Sequence, residues 1–315
     1  MPLLHNIKNA ASDLGCVAGI CDANPVPLAQ SKTPFVSHDR EKRTNPDRTL
    51  AGAKSVLVVL TGHPAPVNPP PPANKHEGVL STLAAGSDYH KVLLGIFVEL
   101  AAILSKHVSF RYKVLIDSGA LPERVLAVKA KLARWGKNCM AISPQFGAYC
   151  NIGCMVTDIG LDVWQPGWKH KGEEAYNAAD TKNRCGACEG CNMCIEACPS
   201  GCIARDGYSI DPFGCVSYLT QKKGPLLECE MDMMGTQLYG CDVCRAVCPQ
   251  AMGPLHSCGS MSADESHIGT DAVLSMDEES FKSRFGHTPM SYIGLNTLKR
   301  NASVAARNIQ RRGFT

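Results

Sequence analysis

Hydrophobic positions follow two rhythms along the first half of this chain. Ser55-Val-Leu-Val-Val-Leu60 is a continuous apolar run, the pattern of a strand buried on both faces. From about Asp88 to Lys106, Val92, Leu93, Ile96, Leu100 and Ile103 recur at helical spacing and predict a helix with one apolar face. Tyr112 to Asp117 reads as a second strand that ends in the turn Ser118-Gly119. Pro122 stands where a first helical residue would be, so a helix is expected from Glu123 to Trp135, stopped by Gly136-Lys137-Asn138. Met140-Ala-Ile-Ser143 opens a further strand. Pro64, Pro66 and the run Pro69 to Pro72 predict an irregular or polyproline-like excursion after the first strand. Strands alternating with helices through about residue 170 indicate an α/β layer. Polar spacing and cysteine then replace that rhythm, and a helical pattern returns near the end, best formed at Asn301 to Asn308.

Composition sharpens this outline. A chain of 315 residues has room for more than one domain. Its 17 cysteines would suggest disulfides in a small secreted protein. The chain is long, however, and Met1-Pro-Leu-Leu-His-Asn carries no charged-then-apolar leader. The longest apolar run, Val92 to Leu104, is interrupted by Gly95 and Glu99 and falls short of a membrane span. A cytoplasmic protein with reduced thiols is therefore expected. The net charge of +3 is uninformative, but its distribution is not. Residues 261–281 hold six acids and no Lys or Arg, and residues 282–315 hold seven Lys or Arg and no acid. That basic tail suits nucleic acid, and equally suits a helix face docked on an acidic neighbour.

The cysteines fix the chemistry. Cys188-Glu-Gly-Cys191-Asn-Met-Cys194-Ile-Glu-Ala-Cys198-Pro199 is the C-x2-C-x2-C-x3-C-P run of bacterial ferredoxins. A second run reads Cys241-Asp-Val-Cys244-Arg-Ala-Val-Cys248-Pro249. Three closely spaced thiolates wrap three corners of a cubane, and the cysteine before proline reaches the other cluster. Cys188, Cys191 and Cys194 are therefore assigned to one [4Fe–4S] cluster with Cys248, and Cys198 to a second with Cys241, Cys244 and Cys215. Cys185 competes with Cys188, and Cys202, Cys185 and Cys229 compete with Cys215. Zinc, which also binds Cys-x2-Cys pairs, fits the two Cys-Pro termini poorly. Cys139, Cys150 and Cys154 are read as small buried hydrophobes. No Walker loop, dinucleotide fingerprint or Gly-x-Ser-x-Gly elbow is present.

The α/β half carries its own signature: Asp88-Tyr-His-Lys-Val-Leu93, Asp117-Ser-Gly-Ala-Leu-Pro-Glu-Arg-Val-Leu-Ala, Gly136-Lys-Asn138, Pro144-Gln-Phe-Gly-Ala-Tyr149 and Thr157-Asp158. With Cys215-Val-Ser-Tyr-Leu-Thr and Gly240-Cys-Asp-Val-Cys, the chain resembles the epoxyqueuosine reductases, cobalamin-dependent two-cluster enzymes related to the reductive dehalogenases. The similarity runs in order from about residue 40 to about 308.

The resemblance implies a nitroreductase-like cobalamin domain of α/β class over residues 1–175, a ferredoxin-like two-cluster domain over 176–260, and an acidic-then-basic helical segment over 261–315. It implies reduction of epoxyqueuosine to queuosine in tRNA. Electrons from reduced ferredoxin or flavodoxin would pass through the clusters to cobalt. It implies that Asp117 is the proton donor, a carboxyl kept protonated by apolar surroundings; read by itself, Asp117 is a turn cap before Ser118-Gly119. Arg43 is expected to face a corrin amide or phosphate, or else solvent. The turn Ser143 to Gly147 is expected to bring backbone amides to the corrin edge. His90 at a helix head is expected to be structural and not a cobalt ligand. Only fourteen residues follow Asn301, too few for the ~40-residue helical repeat expected in this family. Two alternatives stay open: a corrinoid reductase or dehalogenase of small molecules, and an electron-transfer module serving a partner.

Overall fold

The computed structural model describes residues 2–26, 34–35, 39–63, 65–66, 76–84, 87–117, 119–168, 180–252, 260–261 and 266–311. The proline-rich stretch 67–75 and Ser118 lie outside the described residues, as do Cys258 and Arg312.

A four-stranded sheet organises the first half. Its order is Cys16–Asp22, Ser55–Gly62, Cys150–Thr157, Tyr112–Leu115, with every neighbouring pair antiparallel. All eight residues of the Ser55–Gly62 strand are buried, because both faces of the sheet are covered. The period of two divides its side chains. Leu57 and Val59 enter a core built with the helices Leu3–Asp13 and Tyr89–Ser105. Val56, Val58 and Leu60 enter a second core under the helix Glu123–Lys129. Gly153 lets the first layer close, since a Cβ there would stand 2.6 Å from the Phe97 ring. Buried Ser55 receives the Trp164 indole N–H at 2.8 Å and donates to the Ile159 carbonyl at 2.7 Å, so its hydroxyl is satisfied inside the core.

The long helix begins and ends where its pattern indicated, with Asp88 as N-cap accepting from the His90 N–H. Its buried face differs from the expected one. Leu93, Ile96, Phe97, Leu100, Ala101 and Leu104 point inward, whereas Val92 is exposed. The next helix is shorter than its pattern suggested and stops at Lys129. Lys131 takes a positive φ of 60°, and Arg134–Trp135 pairs with Ala141–Ile142 as a small hairpin. Gly136-Lys137-Asn138 is the turn of that hairpin and not a helix stop.

The second half is threaded through the first. Glu77–Leu80 pairs with Gln237–Tyr239 on one side and His267–Gly269 on the other. The C-terminal helix Gly294–Arg311 closes over this three-stranded sheet, burying Leu295, Leu298, Ala302 and Ala305. The buried Asn301 amide donates to the Thr220 and Leu238 carbonyls, both at 2.7 Å, and Asn308 does the same to Met231 and Gly235. Arg300 donates to the carbonyls of Leu219 and Gly224. Among the described residues no helix is long and apolar enough to cross a membrane.

Candidate iron–sulfur and proton-transfer site

The two cysteine runs end in matching single helical turns, Met193–Glu196 and Val243–Ala246, which pack against each other. A cavity between them is walled by Cys188, Cys191, Cys194 and Cys248, together with Lys137, Asn138 and Ile142. The hairpin turn of the α/β half supplies that last part of the wall. Lys137 Nζ donates to the Cys191 carbonyl and to Asn192 Oδ1, each at 2.9 Å. Asn138 is buried, accepts from the Met140 N–H and donates to the Cys244 carbonyl at 3.2 Å. Cys185 stands outside this wall. Its N–H is held by the Trp135 carbonyl at 2.7 Å, and its thiol is hydrogen-bonded to Cys188.

Cys198, Cys202, Cys215, Cys241 and Cys244 form the second group. Cys202 Sγ lies 3.5 Å from Cys198 Sγ and is hydrogen-bonded to Cys215. Cys215 precedes the helix Val216–Gln221, whose first N–H groups, those of Ser217 and Tyr218, point at its sulfur. The hydrogen bond from Cys202, helped by those amides, lowers the Cys215 thiol to about 6 against the pull of burial. Burial pushes Cys241 and Cys244 up to about 12. Thiols held neutral this way release protons when iron binds, which couples cluster loading to pH. Cys229 is exposed on the helix Glu228–Met234.

A buried ion pair ties the second run to the α/β half. Asp242 accepts from the Thr82 N–H at 2.7 Å, from its hydroxyl at 2.8 Å, from Ser81 and from Arg245. The Arg245 guanidinium lies 4.7 Å over the Tyr149 ring, and its Nη1 is 3.1 Å from His63 Nε2. Sequence reasoning passed over Asp242 and Arg245. The available signal was two opposite charges inside the run Cys241 to Cys248, where burial requires pairing.

The third part gathers around Asp117. This residue is exposed and takes a positive φ of 50°, which directs its N–H to Glu123 Oε1 at 2.8 Å. Tyr89 Oη donates to Asp117 Oδ2. Glu123 is half-buried, whereas Asp117 is exposed. Desolvation, then the neighbouring Asp117 charge, holds Glu123 well above the usual carboxylate range. Burial, then the same charge, also raises the Tyr89 phenol. The expectation of a protonated acid in apolar surroundings therefore falls on Glu123, six residues further along. His90 Nδ1 is 2.7 Å from Asp88 Oδ1, so its ring is committed there.

The structure bears on two of the residues expected at the corrin. Arg43 is buried in the short helix Arg40–Thr44, not solvated. The turn Ser143 to Gly147 is closed on itself: Ser143 N–H meets the Gly147 carbonyl at 2.9 Å and Gly147 N–H the Ser143 carbonyl at 2.8 Å. Those two amides are spent internally. Gly147, with φ of 69°, instead lets the strand approach Ala251, whose carbonyl oxygen would be 2.2 Å from any Cβ placed there. The basic tail follows the second of its two readings, because Arg307 and Arg311 both reach Glu228 and Asp232. Cys154 is a buried hydrophobe in its strand, whereas Cys139 is half-buried with a positive φ.

Residues 187–251 match the family described as a 4Fe-4S double cluster binding domain, and residues 43–118 match epoxyqueuosine reductase QueG, DUF1730. An epoxyqueuosine reductase from Bacillus anthracis is 32% identical over 277 residues, spanning 86% of this chain and 68% of that protein. The chain belongs to the epoxyqueuosine reductase family. It is an oxidoreductase of a family that uses cobalamin and two [4Fe–4S] clusters. The structure of epoxyqueuosine reductase from Streptococcus thermophilus superposes with a TM-score of 0.79 at 27% identity, covering 98% of this chain and 82% of that one. A second epoxyqueuosine reductase, crystallised with an epoxyqueuosine-modified tRNA-Tyr stem loop, gives 0.82 at 26% identity over 97% and 81% of the two chains. A Bacillus subtilis enzyme, described with its catalytic aspartate loop swung out of the active site, gives 0.80 at 26% identity over 98% and 82%.

The residues present fit these cofactors. Four thiols already surround one cavity, and the second group contains the four required. At the Asp117 end the chain offers a carboxylate, a phenol and a half-buried carboxyl, with His90 tied to Asp88. That set would supply protons to a reduction carried out by a bound corrinoid.

Proposed function

We propose that this protein reduces epoxyqueuosine in tRNA to queuosine. Converting an epoxide to an alkene takes two electrons and two protons and releases water, and two one-electron clusters match that demand. The observation that carries the reading is the acid group Tyr89–Asp117–Glu123, exposed at one end and proton-rich at the other. The relative crystallised with an epoxyqueuosine-modified stem loop supports the substrate.

Cys188, Cys191, Cys194 and Cys248 hold the first cluster, and Cys198, Cys215, Cys241 and Cys244 the second. When bound, cobalamin supplies low-valent cobalt as the immediate reductant. Asp117 relays a proton from Glu123, whose carboxyl is hydrogen-bonded to it, to the departing oxygen, and Tyr89 orients Asp117 by donating to Oδ2. The Bacillus subtilis relative with its catalytic aspartate loop swung out supports a mobile acid at this position. Glu123 sits behind it, holding a proton because burial disfavours its charge. Arg43, at the edge of the same half, is assigned to the corrin periphery. A cytoplasmic location fits reduced thiols, and a small reduced ferredoxin or flavodoxin suits a one-electron entry.

The test is single-turnover reduction, under anaerobic conditions with cobalamin, of an epoxyqueuosine-bearing stem loop, followed by nucleoside mass spectrometry. Queuosine formation is expected. Binding of corrinoid without product, together with turnover of a halogenated or epoxidised small molecule, would replace the substrate.

A further inference from the structure

A cubane takes four thiolates, and the second group has five. The fifth, Cys202, is not a bystander at a distance. It lies 3.5 Å from Cys198 Sγ and is hydrogen-bonded to Cys215, so it touches two of the four assigned corners. Backbone bonds fix it there. The Asp211 N–H donates to the Cys202 carbonyl at 2.8 Å, and Ile203 bridges to Ile210 just beyond. The loop carrying Cys215 runs against the same spot, since a Cβ at Gly214 would meet Cys202 Cβ at 3.6 Å. Cys185 makes the opposite case. It bonds to one ligand, Cys188, but lies outside the cavity wall and is anchored by Trp135.

We propose that Cys202 is a reserve ligand of the second cluster, able to take over the corner held by Cys215. This rests on the two-cluster assignment above. In the exchange the iron–sulfur bond to Cys215 breaks and one to Cys202 forms, while the Cys202 proton passes to the Cys215 sulfur along their existing hydrogen bond. No electron is gained or lost. Cys215 is the corner to be replaced because it comes from a separate loop, outside both cysteine runs, and is already hydrogen-bonded to Cys202. The cluster then has two ligation isomers and keeps four thiolates when one is lost to oxidation.

The full-length chain is prepared anaerobically as wild type, Cys202→Ala, Cys215→Ala and the double variant, and each is assayed for iron and sulfide and by electron paramagnetic resonance after dithionite reduction. Wild type and Cys202→Ala are expected to hold about eight irons with the same spectrum. Cys215→Ala is expected to hold about eight irons with one signal shifted, and the double variant about four. The unshifted first-cluster signal reports that each variant is folded. Equal loss of the second cluster in Cys215→Ala and the double variant overturns the proposal. So does loss in Cys202→Ala alone, which makes Cys202 the resident ligand. A double variant that keeps about eight irons also overturns it. Wild type with only about four irons fails at the two-cluster assignment itself.

Discussion

The iron-binding thiols and the acid group around Asp117 are built on opposite principles. Most of the thiols come from short runs in which spacing alone wraps a metal cluster. The acid group comes from the helix head at Tyr89, the strand end at Asp117 and the next helix at Glu123. No local spacing announces it. A cradle made by the chain's own rise depends on the identities of its ligands. A proton site made by three segments depends on how they are held together.

The contrast is broken most severely at the Asp242–Arg245 pair. Arg245→Met leaves a buried carboxylate with Thr82 and Ser81 as its remaining partners, and removing one member of such a pair costs about 3–5 kcal/mol. Loss of both clusters and a lower urea midpoint are expected, read by iron content and circular dichroism. Near-wild-type stability would mean that the two halves are joined elsewhere. Because Arg245 holds Asp242 below the ordinary carboxylate pKa against the cost of burial, its contribution is present above the unfolded value of 3.8. It is lost as the pH falls through the folded value, so a shallower acid-side stability curve in Arg245→Met checks the sign.

Asp117→Asn should slow single turnover about 10²–10⁴-fold and leave iron content unchanged. Full activity would return Asp117 to a turn cap. A smaller effect is expected from Glu123→Gln, which fixes the neutral form. Glu123 is raised in the fold, so its contribution to stability is complete below the unfolded value near 4.5 and is lost as pH rises through the folded one. The glutamine variant should keep that stability at alkaline pH, seen as a flatter profile of melting temperature against pH. An unchanged profile would show that Glu123 does not titrate as a desolvated acid.

The least effect is expected at the tail. Arg307→Glu with Arg311→Glu breaks exposed pairs to Glu228 and Asp232, and exposed pairs contribute little. A melting temperature within a few degrees of wild type and both clusters retained are expected. If stem-loop affinity falls in this variant and the fall deepens at low salt, the same arginines also meet phosphate.

What the sequence disclosed follows the same division. Ser55–Leu60 declared a strand covered on both sides because every position after Ser55 is apolar, and the long helix declared its start through Asp88. The rotation of that helix did not show, because Val92 and Leu93 are equally apolar and the packing partner chooses between them. The strands Cys16–Asp22 and Cys150–Thr157 were missed because glycine and cysteine interrupt their apolar pattern. Glu123 was missed because Pro122-Glu123 reads as an ordinary first helical turn. Its link to Asp117 depends on the positive φ that turns the Asp117 N–H to the Glu123 carboxyl, a backbone choice that composition does not signal. At Ser143 and Gly147 the converse holds: their amides look available in a turn until the bridge between them is drawn.

The hairpin turn Gly136-Lys137-Asn138 sets an order of manufacture. Lys137 and Asn138 reach cysteine-bearing segments that lie more than fifty residues downstream. During synthesis from the N-terminus, part of the first cavity's wall has therefore left the ribosome before Cys188 is added. Iron delivered to the nascent ferredoxin segment meets one side of its container already in place, and Cys248 arrives only at the end of the second run. A cysteine-rich fragment made alone would have to be loaded with that side of the vessel open to water and oxygen.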